Sequence, residues 1–507
     1  MPERLPSTKD DHGTAQRRRP RPLKTRSVSP HRPTAPSRPA ADTDDAVSDR
    51  VRYAGFTEGS VAGHLIHLGS FMALGSVSMI GARMAEAAYL GILGTEALAA
   101  MGFAFPISMF LFAFASGIGT GASSVIARVY GAGDRAQAAR LVTHAQLLVF
   151  LVSVAISAFG LVFAQDLLAL LGAAGEVRIL STEYLRIYML GFPLFMLSMV
   201  GSTLLRATGS ATSPGLVMAG GSVLQIGIGP LLIFGLFGFP DLGVAGAAWA
   251  YVASRVFSVA LYLVILLRVR MISWSLTDLG KSWGAILHVG GPATLSSLTF
   301  PISMLVITRL LAGHGDEVVA GYTVASRVET LVHMVIWSAS SSVAPFVGQN
   351  WGAANYQRVR VALRLVNLFC LGWGVVTFVV LALVGETVVR TIDADPTVVA
   401  VAGMFFLIMP LSIGFMGVMH VATYCFNALG QPLPPLVLSI LRSLAFYVPL
   451  AVLGDYLWGF VGIFLATAFS NVVLGIGGWY WNRLAVRRGI AMRDAAKGNA
   501  AEKARPK

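Results

Sequence analysis

Twelve apolar stretches follow one another between about Val61 and residue 481 of this 507-residue chain. They cover approximately 62–90, 97–124, 140–164, 183–205, 212–236, 243–267, 284–310, 317–347, 361–385, 398–425, 434–454 and 458–481. A bilayer crossing needs about 20 mostly apolar residues. Hydrocarbon offers backbone N–H and C=O groups no water, so each crossing segment must pair them internally as a helix or in a closed barrel. No ten-residue segment alternates with a period of two, which excludes a β-barrel. The expected fold class is therefore all-α, a polytopic membrane protein of twelve transmembrane helices. Composition agrees: hydrophobic residues make up 55% and charged residues 12%, against about 25% charged in a soluble domain.

Charge is concentrated at the ends. Residues 1–55 hold 12 Lys/Arg against 7 Asp/Glu, and residues 483–507 hold 8 against 2, which together supply +11 of the formal +13. A basic protein of this kind does not imply nucleic acid, because the charge sits in low-complexity ends such as Arg17-Arg18-Arg19-Pro20-Arg21 and not on the face of a folded unit. Residues 1–58 are expected to be a disordered basic cytoplasmic tail that touches anionic lipid. Residues 483–507 are expected to be a basic cytoplasmic tail. No apolar targeting segment occurs within the first 55 residues. With the N-terminus inside, the inner loops hold Arg128, Arg135, Arg140, Arg206, Arg268, Arg270, Lys281, Arg358, Arg360 and Arg364. The outer connections hold Arg178, Arg186, Arg390 and Arg309. That asymmetry places both termini in the cytoplasm and the chain in the inner membrane.

The two halves repeat. At a shift of 221 residues, Gly94, Glu96, Ala99, Ala104, Gly131 and Ala132 fall on Gly315, Glu317, Ala320, Ala325, Gly352 and Ala353, and Ala207 and Gly209 fall on Ala428 and Gly430. Residues 59–270 and 271–482 are thus expected to be two lobes of six helices each. Six is even, so both lobes enter the membrane in the same sense, which is the parallel repeat of secondary transporters.

Enzyme signatures are missing: there is no Gly-x4-Gly-Lys-Ser/Thr and no His-Glu-x-x-His, and the nine His are scattered. No cofactor, metal site or obligate protein partner is expected. Cys370 and Cys425 lie in separate apolar runs and read as small buried hydrophobes. Gly117-x-Gly119-x-Gly121 lies inside an apolar helix, where small residues allow close packing.

Ionisable residues within the spans are the functional candidates, because hydrocarbon makes them costly. Glu86 in the first span stands one helical turn after Arg83. Two readings fit it: a cavity-facing carboxylate that takes up and releases a proton or cation, or a structural Arg–Glu pair. Glu329 and Arg327 in the eighth span are two residues apart and face different ways, so Glu329 is expected to find a partner on another helix. His420 in the tenth span reads as a packing residue or a proton relay. Arg255 and His333 have no partner legible in the sequence. Gly131 and Gly352, with Gly348 and Gln349, mark equivalent helix ends and turns in the two halves, read as hinges.

Several segments, Leu90-Gly91-Ile92-Leu93-Gly94-Thr95-Glu96-Ala97-Leu98-Ala99-Ala100, Phe105-Pro106, Leu205-Arg206-Ala207-Thr208-Gly209 and Pro345-Phe346-Val347-Gly348-Gln349-Asn350-Trp351-Gly352-Ala353, carry a resemblance across about residues 60–482. The chain resembles the multidrug and toxic compound extrusion (MATE) transporters. The resemblance implies two six-helix lobes in a V around a central cavity, and export of bulky, often cationic organic compounds by alternating access in exchange for H+ or Na+. Glu86 stands where the family usually has an Asp. The family's Asn-x-x-x-Asp-Pro pattern reads Gln225-Ile226-Gly227-Ile228-Gly229-Pro230 here, so the amide is kept as Gln225 and the acid is replaced by Gly229. The seventh- and tenth-span acids of Na+-coupled members fall near Phe300 and Val418. These departures favour H+ over Na+, because Na+ needs several convergent oxygens, and they place ion coupling on Glu86 and Gln225 with help from Glu329 or His420. The alternative is a flippase for a lipid-linked saccharide precursor, which would use Arg83, Arg255 and Arg327.

Overall fold

The computed structural model describes residues 55–392 and 395–503, apart from the side chains at 300–302, 305, 392 and 496–503. The expected tail 1–58 lies outside the described residues as far as 54, and position 300 is described by its backbone alone.

Twelve long helices follow the apolar runs. The first half holds α1 (Val61–Leu93), α2 (Thr95–Gly131), α3 (Arg135–Val162), α4 (Gly175–Ala207), α5 (Thr212–Ile233) and α6 (Gly243–Arg268). The second half holds α7 (Leu279–Leu311), α8 (Asp316–Gly352, bent at Ser342), α9 (Tyr356–Ile392), α10 (Pro396–Leu429), α11 (Leu433–Trp458) and α12 (Phe460–Lys503). Among the described residues there is no strand, and eleven of these helices are long and apolar enough to cross a membrane. The other, α7, is 33 residues long, about 50 Å at 1.5 Å per residue.

The packing repeats as the sequence does. In the first half α4 packs against α2, α3 and α6; in the second, α10 packs in the same way against α8, α9 and α12. These two helices are the centres of their halves, each 61% buried over its most apolar window, against 22% for α9. The outward rows of α9, including Val375, Val376, Val379, Val380 and Leu383, are exposed apolar side chains that suit a lipid surface. Two elements depart from the repeat. Helix α7 packs most heavily across the halves, on α2: Gly117 and Gly121 bring the backbones so close that an added Cβ would lie 1.9 Å from Thr294 and 2.3 Å from the carbonyl oxygen of Ile286. Helix α11 contains a π-helical stretch, Leu441–Tyr447.

The last helix runs past the expected end of its span through the basic segment to Lys503. Arg493 donates to the carbonyl of Trp351 at 2.8 Å and lies 4.9 Å from the Trp351 ring. A cation at the carbonyl end of α8 is favourable, and this contact holds the first part of that basic segment as helix.

Candidate functional site

Four helices of the first half bring a carboxylate, an amide, a guanidinium and three tyrosines together. Glu86 on α1 is 8% exposed. Its Oε1 accepts from the Tyr184 hydroxyl of α4 at 2.7 Å, and its Oε2 accepts from Nε2 of Gln225 on α5 at 3.1 Å. The Gln225 Oε1 in turn accepts from Nη2 of Arg255 on α6 at 3.2 Å. Arg255 also donates through Nε to Ser254 at 3.2 Å and lies 5.2 Å from the Tyr251 ring. Tyr251 stacks on Tyr188 at 4.4 Å, and Tyr188 faces Tyr184 at 6.1 Å. The chain Glu86–Tyr184–Tyr188–Tyr251–Arg255–Gln225 therefore closes on itself. Arg83, half-buried one turn before Glu86, makes no hydrogen bond or contact ion pair with it among the described residues and acts on it only through its charge. Gly229 is buried, and a Cβ there would lie 3.1 Å from the Tyr89 ring. Tyr89 thus occupies the space that a second acid would need, and no other carboxylate reaches Glu86 among the described residues.

Arg255 also faces a second space. A cavity lies between the halves. Phe112, Trp337 and Tyr424 line it, together with a row of Ser and Thr hydroxyls, four methionines and two charged residues, Arg206 and Arg255. Trp337 donates from its ring nitrogen to the Tyr424 hydroxyl at 2.7 Å.

The cavity is shut at the end where Gly131, Gly209, Gly352 and Gly430 lie. Arg128 Nη1 crosses from α2 to the Ala428 carbonyl at 2.8 Å, and Gln349 Nε2 crosses from α8 to the Ala207 carbonyl at 2.8 Å. Arg128 and Gln349 are 221 residues apart, as are Ala207 and Ala428, so the two bonds are one contact made twice. The backbones meet in the same symmetric way. A Cβ on Gly131 would lie 2.0 Å from the Gln349 oxygen, and one on Gly352 2.1 Å from the Arg128 oxygen, distances that only glycine permits. Gly348 packs on Ala127, Gly209 lies beside Gly55 and Gln349, and Gly430 lies beside Arg128. Ser124 donates to the Asn427 carbonyl. The segment before α1 joins the seam: the Phe56 amide donates to Gln349 Oε1 at 2.8 Å, and Asn350 donates to the Phe56 carbonyl at 3.1 Å. Gly131, Gly209, Gly348, Gln349, Gly352 and Gly430 therefore all meet at this seam.

The family model MatE matches residues 72–231 and 292–453, one block in each half. The chain belongs to the MatE family. It is 33% identical over 412 residues to a protein of Shewanella oneidensis named FAD transporter, covering 80% of this chain and 91% of that one. It is 24% identical over 427 residues to the multidrug export protein MepA of Staphylococcus saprophyticus, covering 83% and 93%. The solved structure of the Vibrio cholerae MATE transporter VcmN in its bent form superposes with a TM-score of 0.81 at 28% identity, covering 84% of this chain and 97% of that one. This chain is thus a multi-pass MATE transporter and not an enzyme, and its class of activity is export of small organic compounds by secondary transport.

The second half of this MATE transporter assembles its polar groups more loosely. Glu329 on α8 is half-buried, forms no hydrogen bond or ion pair among the described residues, and has Arg442 of the π-helical stretch as its opposite charge. Arg327 is exposed. The His420 ring stands 5.5 Å from that of His333, which supplies the neighbour that neither had in the sequence, and the Nε2 of each is buried without a partner. Cys370 and Cys425 are free and buried. Tyr184, Tyr188 and Tyr251 went unseen in the sequence, although four-residue spacings, Tyr184 to Tyr188 and Tyr251 to Arg255, put each pair on one helix face.

Proposed function

We propose that this transporter is an H+-coupled antiporter that exports bulky aromatic compounds from the cavity between its halves, with Glu86 as the carboxylate that gains and loses the proton. The hydrogen-bond pattern at Glu86 carries this reading. Both oxygens accept from neutral donors, Tyr184 and Gln225, and the amide oxygen that a sodium ion would need is turned to Arg255. A cation would meet donors and a positive charge there, whereas a proton needs only one carboxylate oxygen. The same pattern favours the coupling reading of Glu86 over the structural pair.

The substrate side draws on the FAD transporter relative. Flavin adenine dinucleotide joins two ring systems through a pyrophosphate, and the cavity offers aromatic rings together with two guanidinium groups. A flavin dinucleotide is therefore the first compound to assay, ahead of the cationic dyes that the family resemblance implies. The flippase alternative loses two of its three arginines, because Arg83 and Arg327 do not line the cavity. We place the glycine seam and both termini in the cytoplasm of an inner-membrane protein, as the loop arginines indicate. A reporter fused after residue 490 that works only on the outside would reverse this placement.

The deciding experiment is efflux from proteoliposomes under an imposed ΔpH or ΔpNa. A response to ΔpH that disappears in Glu86→Gln supports the proposal. A response to ΔpNa alone, or full ΔpH-driven efflux by a well-folded Glu86→Gln, overturns it.

A further inference from the structure

Arginine in an apolar protein interior ordinarily has a carboxylate beside it, because an uncompensated buried charge costs several kcal/mol. The cavity between the halves holds two arginines and, among the described residues, no Asp or Glu in its lining. Arg255 is 8% exposed, and the groups it touches directly are neutral acceptors and ring faces, Gln225, Ser254, Tyr251 and Phe195, with the Glu86 carboxylate one link away beyond Gln225. Its hydrogen bonds use Nε and Nη2, so Nη1 is left without one. Arg206 donates from Nη2 to Thr203 at 2.9 Å, within its own helix, and to nothing else. Ser198, Ser202 and Ser258 share the lining, but each hydroxyl donates to a carbonyl of its own helix, which leaves the guanidinium groups as the free donors. The acid nearest to this set in the hydrogen-bond network, Glu86, is committed through both oxygens to Tyr184 and Gln225.

We propose that Arg206 and Arg255 are anion-reading groups of the cavity wall, and that the cavity takes aromatic compounds carrying a phosphate or carboxylate, whose charge supplies the direct counter-ion that neither arginine has among the described residues. This rests on reading the cavity as the substrate site, and not on the coupling role of Glu86. Arg255 is the more selective of the two. Its planar fork is already held on one side by Gln225 and Ser254, and an arginine so oriented presents its free edge to a phosphate without further ordering. Phe112 and the Trp337–Tyr424 pair offer apolar rings for the aromatic part.

The test uses the full chain in nanodiscs and two flavins that differ by one phosphate, flavin mononucleotide and riboflavin, with binding followed by flavin fluorescence. The wild type should bind the phosphorylated flavin about tenfold or more tightly, the scale of one hydrogen bond to a charged group. That ratio should fall towards one in Arg255→Gln and in Arg206→Gln, and recover only in part in Arg255→Lys, which keeps the charge but not the fork. Size-exclusion profiles and melting temperatures show whether each variant is folded. Inorganic pyrophosphate should compete against flavin mononucleotide on the wild type and not against riboflavin, which needs no variant. A wild-type ratio near one, tighter binding of a cationic dye than of either flavin, or folded glutamine variants that keep the full ratio would overturn the proposal. So would a ratio that exists in phosphatidylcholine discs but vanishes when phosphatidylglycerol is added, since a lipid headgroup would then be the anion bound. No gradient enters this measurement, so full export by Glu86→Gln would end the coupling reading and leave this one standing.

Discussion

Glu86 and Glu329 are both carboxylates on apolar helices, yet their surroundings differ in kind. Around Glu86, three further helices each contribute a group to a closed ring, and both carboxylate oxygens have a donor. Around Glu329 no donor arrives, and Arg442 acts on it only through space. The helix packing supplies the reason. In the first half α1 lies along α5 and comes within reach of α4 and α6. Its counterpart α7 leans across the boundary onto α2, drawn there by the contact of Gly117 and Gly121 with Thr294 and Ile286. Helix α7 still touches α11 and α12 of its own half, but no hydrogen-bonded ring like that around Glu86 forms there among the described residues. A repeated sequence has kept one frame and built chemistry into a single copy of it.

Four measurements can break or sharpen this contrast. The largest effect is expected at the two carboxylates. Glu86→Gln should insert and fold but lose gradient-driven export, with Glu86→Asp keeping part of it, whereas Glu329→Gln should keep most; equal losses in everted vesicles would erase the distinction between the halves. Next comes the seam, where the halves should instead behave alike. Gly131→Ala and Gly352→Ala each force a methyl group against a carbonyl and should destabilise the shut seam by about 1–3 kcal/mol, read as a faster reaction of a cysteine placed behind it. A defect confined to one of the two variants would show that the contact is symmetric only in appearance. Third, Tyr184→Phe removes one donor from a buried carboxylate, a loss of about 1.5–3 kcal/mol, and should slow export about tenfold or more while leaving Tm within a few degrees. The smallest effect belongs to the second half. His420→Leu removes a buried, unpartnered ring nitrogen, so the melting temperature should hold or rise slightly, and a large loss of export would mean that His420 works with Glu329 after all.

The frame was legible because it follows from repetitive signals. A span announces itself by 20 apolar residues, and the 221-residue shift announces the second copy. Glu86 was legible for the opposite reason, as a charge where charge is costly. Gln225 came only through a family pattern. Its partners could not be read, because Tyr184 lies 98 residues and Gln225 139 residues from Glu86, and a tyrosine in a membrane helix looks the same whether it meets a carboxylate or a lipid headgroup. Arg255 drew notice by its charge but had no acid legible in the sequence, and in the structure Glu86 reaches it only through Gln225. The sequence did not show that the last helix continues past residue 481 into the basic segment, because the seat of Arg493 on Trp351 joins residues 142 apart.

The strap before α1 has a consequence for how the molecule is made. Phe56 is 2% exposed, and its backbone amide and carbonyl are satisfied by Gln349 and Asn350, 293 and 294 residues later in the chain. During synthesis at about 5–20 residues per second, those partners emerge roughly 15–60 s after Phe56. Until then the segment just before α1 has an apolar ring with nowhere to pack, and the first helix has an unfinished end. Assembly of this transporter thus finishes its first helix late, only once the eighth has been made.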